Sequence, residues 1–100
     1  MLPLVSILIP SLGDESATVA SVRGNGYPLD RLEILVASPL PSVDGTVWIP
    51  NPTGSTPGGL NLAIASAKGE ILLRVDTKAT LDPGYIESCV DLLQIGRAHV

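Results

Sequence analysis

Three short polar segments stand directly behind apolar runs, and their residue types could do chemistry. Ser11, Asp14 and Glu15 follow VSILIP, Ser38 and Asp44 follow LEILVA, and Asp76 and Lys78 follow ILLRV. A carboxylate in such a place can hold a cation, cap a helix or sit idle in a loop, while hydroxyl and ammonium groups can hydrogen-bond a polar ligand. Asp44 precedes Gly45, a pairing that also forms turns. A glycine-rich stretch, TGSTPGG, could cradle a phosphate before a helix, but it lacks the Gly-Lys-Ser/Thr ending of a P-loop and reads as a plain loop. Cys89 and His99 are the sole members of their types, too few for a disulfide or a zinc site. Cys89 reads as a core residue, and Trp48 as a strand residue packing the core edge.

These segments need strands to carry them. Val5 to Ile9 is a β-branched apolar run stopped by Pro10 and predicts a first strand. From Asp14 the apolar spacing turns helical, up to Gly24 and Gly26. Leu32 to Ala37 predicts a second strand, and Val47 to Ile49 a short third one. A helix is expected over Leu60 to Lys68, ended by Gly69, and a fourth strand over Ile71 to Val75. Asp82-Pro83 predicts a cap and first turn for a last helix reaching Leu93. The β-α-β-β-α-β-α order predicts an α/β fold, a mainly parallel sheet flanked by helices. Ligands of such sheets sit beyond the carboxyl ends of the strands, which singles out the loops Pro10–Asp14, Ser38–Asp44 and Asp76–Lys78.

Composition narrows the function classes. One hundred residues make one small domain at most, and 45% hydrophobic with 16% charged residues describes a globular chain. A net charge of −4 has the wrong sign for gripping nucleic acid over a broad surface, and 3% aromatics give no base-stacking platform. Any bound anion must be held by local features. The N-terminus carries no positive lead and meets Pro10 quickly, so neither a signal peptide nor a membrane span is expected. With a lone cysteine, this reads as cytoplasmic.

In order and spacing, VSILIPSLGDE, LEILVASPLPSVDGT, GGLNLAIASAKGEILLRVD and LDPGYIESCVDLL resemble the N-terminal half of a family 2 glycosyltransferase with the GT-A fold, over Val5 to Leu93. Such families open with I-P-x-[YL]-N-E-E, continue with D-G-S-x-D-G-T, and reach a D-x-D motif after A-x-G-E and a strand. The run from Leu60-Asn61 through Ala67-Lys68-Gly69-Glu70 to Arg74-Val75-Asp76 is most similar to transferases that build bacterial surface polysaccharides or glycolipids. The resemblance implies a Rossmann-like, nucleotide-sugar-binding part of a GT-A domain over residues 1–94. Residues 95–100, IGRAHV, match one frame of a sequencing adapter and read as a non-native tail.

Carried over by position, Pro10, Ser11 and Leu12 would line the base of a nucleotide-diphosphate sugar, foremost a UDP-sugar, with Glu15 nearby. Ser38 would meet the ribose, and Asn61 would face the nucleotide, cap its helix or meet solvent. Asp76 would be the metal-side acid for a divalent cation, Mn or Mg, bridging the diphosphate. The intact parent would pass the sugar to a hydroxyl acceptor, working in the cytoplasm or at the inner face of the membrane. The chain alone would be inactive, because nothing in it matches the acceptor-binding half.

Two positions depart from the family pattern. Ser38 stands where the acidic turn has its first aspartate, and Lys78 where D-x-D has its second. A fixed ammonium about 5 Å from a divalent ion costs roughly 6 kcal/mol at an effective dielectric of about 20. Either Lys78 contacts the diphosphate itself, so that less metal or none is needed, or it extends into solvent while a backbone oxygen or water completes the shell. The rival to a transferase is a non-catalytic α/β nucleotide-binding or scaffold module with an eroded metal site. A nucleotidyltransferase is disfavoured, since its Gly-rich signature with Arg and Lys is absent after the first strand.

Overall fold

The computed structural model describes residues 2–97, with side chains through residue 93. In chain order the elements are β1 (Val5–Pro10), α1 (Ser16–Arg23), a 3-10 turn (Leu29–Arg31), β2 (Leu32–Ser38), β3 (Val47–Pro50), α2 (Thr56–Ser66), β4 (Ile71–Arg74) and α3 (Tyr85–Arg97). The strands form one sheet in the order β3-β2-β1-β4, parallel throughout. The expected class and element order are therefore observed.

Alternation along β1 and β2 builds two cores. Val5, Ile7 and Ile9 with Ile34 and Val36 pack against Val19 and Val22 of α1 and Ile86 and Val90 of α3. Leu8, Leu35, Ala37 and Ile49 face the other way and pack on Ala63 of α2. Two-faced burial explains why β1 reads as a continuous apolar run.

Several boundaries differ from expectation, each for a local reason. Helix α2 starts at Thr56, not Leu60, because the Ser55 side chain accepts from Gly58 N at 3.3 Å and Pro57 fits the first turn. It ends before Gly69, which serves instead as a point of close approach. A Cβ on Gly69 would stand 2.5 Å from Ser6 Oγ and 2.7 Å from Ser6 N. The Gly69 N–H donates to Ser6 Oγ at 2.8 Å, Ser6 Oγ donates to Glu33 Oε2 at 2.7 Å, and Lys68 N donates to the same carboxylate oxygen at 2.9 Å. This clasp brings the chain into β4 beside β1.

Asp82 does not cap α3. Asp82-Pro83-Gly84-Tyr85 is a turn closed by Tyr85 N donating to Asp82 O at 3.0 Å, with Gly84 at φ +78, as a Pro-Gly pair in a type II turn requires. Buried Asn25 performs the capping, its Oδ1 accepting from Ile86 N at 2.8 Å. Helix α3 passes the expected end at Leu93 and runs through Arg97, so 95–97 of the expected tail are helical while 98–100 lie outside the described residues. Cys89 is half-buried, and Trp48 on edge strand β3 is 38% exposed, its Nε1 donating to Ser38 O at 3.1 Å.

Two outcomes follow. Gly69→Ala forces the clasp apart and should lower stability by about 1 to 3 kcal/mol in urea unfolding, and an unchanged midpoint would refute the close approach. Buried Tyr27 donates to Pro3 O at 2.6 Å, and burial raises its phenol above the ordinary 10.0. The folded form thus holds the proton longer than the unfolded chain, so its contribution is complete below pH 10 and is lost as pH rises beyond it. Unfolding measured across that range should show a falling limb that Tyr27→Phe flattens; Tyr85, raised by the neighbouring Cys89 thiol, acts in the same direction.

Candidate functional site

Strand order locates the site. From β1 the chain moves to β2 and β3 on one side, then crosses to β4 on the other, so the connections part between β1 and β4. A cleft of about 350 Å³ opens beyond the carboxyl ends of those two strands. Pro10, Ser11, Leu12 and Asp14 line it from β1, and Arg74, Asp76, Thr77 and Lys78 from β4. Gly54 and Thr56, entering α2, close the rim. A side chain at Gly54 (φ +68) would strike Leu12, its Cβ lying 2.6 Å from Cδ2.

Beneath the cleft lies a buried carboxylate. Glu15 is 4% exposed; Ser11 Oγ donates to its Oε1 at 2.6 Å and Ser42 Oγ to its Oε2 at 3.2 Å. Ser11 Oγ in turn accepts from Gly13 N at 2.9 Å, which folds the first loop back on itself. Glu15 thereby ties the loop after β1 to the loop after β2. Because both its oxygens are engaged, it stands at the N-cap of α1 without a capping bond, and the helix begins at Ser16 and not at Asp14.

The β4 side is fixed from below. Val75 N donates to Leu8 O at 3.0 Å, Ala79 N closes a turn on Asp76 O at 3.0 Å, and buried Thr18 donates from Oγ1 to Thr77 O at 2.7 Å. Arg74 and Asp76 form an ion pair at 3.2 Å on the cleft wall.

Five expected site residues therefore meet: Pro10, Ser11, Leu12, Asp76 and Lys78. Glu15 lies below them. Ser38 and Asn61 are not brought into the cleft. Ser38 is fully buried with its hydroxyl donating to Leu40 O, and Asn61 is exposed on α2. Arg74, Gly54 and Thr56 were missed. Arg74 carried one signal, a cation closing an otherwise apolar strand, and Gly54 and Thr56 lie in the glycine-rich stretch that reads as a plain loop.

With this geometry in hand, solved structures offer a comparison. Residues 1–349 of S. aureus TarS superpose with a TM-score of 0.72 at 15% identity, over 94% of this chain and 32% of that one. The fold is glycosyltransferase-like. This chain thus spans about a third of the TarS segment it matches. Mannosyltransferase PcManGT from Pyrobaculum calidifontis, solved with GDP-Man and Mn2+, overlaps at a TM-score of only 0.36 with 18% identity, over 89% of this chain and 24% of that one. No protein-family model and no curated protein matches the chain.

The residues present do not fit a divalent cation of the kind the D-x-D pattern implies. Asp76 is paired with Arg74, Lys78 shares its wall, and among the described residues no three of His, Cys, Asp and Glu cluster. Asp14 is the other carboxylate in the lining. At the entry to α2, Ser55 accepts from Gly58 N through its hydroxyl and from Gly59 N through its carbonyl, and Pro57 has no N–H to give.

Glu15→Ala leaves the buried Ser11 hydroxyl and the half-buried Ser42 hydroxyl without their acceptor and unties both loops. The expected loss is about 2 to 3 kcal/mol in urea unfolding, with Ser42→Ala costing about 1 kcal/mol. A loss under about 0.5 kcal/mol for Glu15→Ala would show that the carboxylate does not hold the loops.

Proposed function

We propose that the chain is the donor-binding part of a glycosyltransferase, taking a nucleotide-diphosphate sugar into the cleft between β1 and β4. One observation carries the reading. Residues 10–14 and 74–78, far apart in sequence, converge on one cleft, and they belong to the two segments most similar to the first loop and D-x-D region of family 2, GT-A transferases. The TarS-like fold and the switch-point position of the cleft support it.

In this reading Pro10 and Leu12 give the base an apolar floor, while the charged β4 wall faces the diphosphate. UDP is the first donor nucleotide to test. Ser38, buried with its hydroxyl on Leu40 O, holds the loop after β2 in shape, and Asn61 stays in solvent. Sugar transfer to a hydroxyl acceptor, in surface polysaccharide or glycolipid synthesis, belongs to a whole parent protein at the cytoplasmic side of a membrane. Among the described residues no helix is long and apolar enough to cross one.

The chain should bind UDP weakly, with a Kd on the order of 1 mM, or about −4 kcal/mol. A titration followed by amide NMR should move the signals of Leu12, Thr77 and Lys78 together. Shifts confined to other surfaces, or none at saturating UDP, would refute donor binding.

A further inference from the structure

The β4 wall of the cleft carries two cations and one acid. Residues 74, 76 and 78 alternate along the end of β4 and the turn after it, and all three line the cleft. The Asp76 carboxylate, the acid expected to serve a metal, already has its charge met by Arg74 at 3.2 Å. Lys78 forms no ion pair among the described residues. The side chain next to the acid is therefore a cation without an ion-pair partner among the described residues, in a cleft whose β1 side carries Asp14.

The backbone that presents Lys78 is anchored on both sides. Thr18 Oγ1, on the buried face of α1, contacts Thr77 O at 2.7 Å and Ala79 O at 3.4 Å, and the turn closes from Ala79 N to Asp76 O. Arg74 is anchored by parallel pairing, opposite Leu8 of β1. One guanidinium nitrogen donates to Asp76, and the fork's other donors make no hydrogen bond among the described residues. A guanidinium fork matches two phosphate oxygens, and an ammonium adds a compact point charge.

Resting on the donor-binding reading, we infer that Lys78 and Arg74 grip the diphosphate of the nucleotide sugar directly, taking the place of a divalent cation. Asp76 is then a positioning residue for Arg74. Binding of a nucleoside diphosphate needs no metal at this site, and the two side chains select for diphosphate over the bare nucleoside.

The test is to measure binding of UDP, UMP and uridine by equilibrium dialysis, once in EDTA and once in excess MnCl2. The UDP Kd should agree within about twofold between the two conditions, with UDP bound more tightly than UMP and UMP more tightly than uridine. Lys78→Ala should weaken UDP at least tenfold, about 1.4 kcal/mol, while leaving uridine unchanged; Lys78→Arg should restore UDP to within about threefold. Lys78 is exposed, so both variants should keep the parent unfolding midpoint, checked alongside. UDP binding that appears with Mn2+ and vanishes in EDTA overturns the inference and leaves donor binding standing. So does metal-free binding indifferent to Lys78→Ala. No UDP binding in either condition overturns donor binding and this inference together.

Discussion

The site depends on β4 lying against β1 in one register. Pairing Leu8 with Arg74 sets the last residue of β4 beside the end of β1, so that the turn after it faces the loop after Pro10. A slip of one residue would turn Arg74 to the α1 and α3 face and Val75, now in the core, to the α2 face. What prevents the slip is the approach at the other end of the strand. Gly69 lets the backbone come within hydrogen-bond reach of Ser6 Oγ, and Glu33 accepts from both Ser6 and Lys68 N. A small polar clasp at one end of the sheet therefore aims charged groups at the other.

Glu15 plays the corresponding part on the β1 side. A buried carboxylate is costly unless its lone pairs are filled, and here two hydroxyls fill them from separate loops. The cost of burying it favours this arrangement, because a loop geometry that withdraws the Ser11 hydroxyl takes away its buried partner. Its neighbour in sequence, Asp14, is exposed at the cleft. Adjacent acids thus divide into one that shapes the site and one that faces whatever enters it.

Much of this was legible in the sequence, and the rest was not for identifiable reasons. Apolar runs bounded by proline gave β1 and β2, and the element order gave the fold class, because both are local patterns. The β1 and β4 loops were singled out by the rule that ligands sit beyond strand ends. Strand order, however, is a long-range fact, and without it the loop at Ser38 carried the same weight as the loop at Asp76. Glycine misled twice, in opposite directions. Gly58-Gly59 read as loop but lie in α2, where a Cβ on Gly59 would crowd Asn51 Nδ2 at 2.7 Å. Gly69 read as a helix cap, yet its role is to admit Ser6. Burial of Glu15 had no sequence signal, since Glu beside Asp at a helix start reads as two solvated acids.

The position of β4 also sets the terms on which the cleft can be enlarged. Among the described residues β4 is an edge strand, with Leu72 exposed on the α2 face. Its outer row of peptide groups offers a template running in the same direction as the rest of the sheet. Any strand that joined there in parallel would end where β4 ends and deliver its own following loop to the rim beside Arg74 and Lys78. The sheet is thus an addressing system, in which the place of a strand fixes the chemistry its loop can reach.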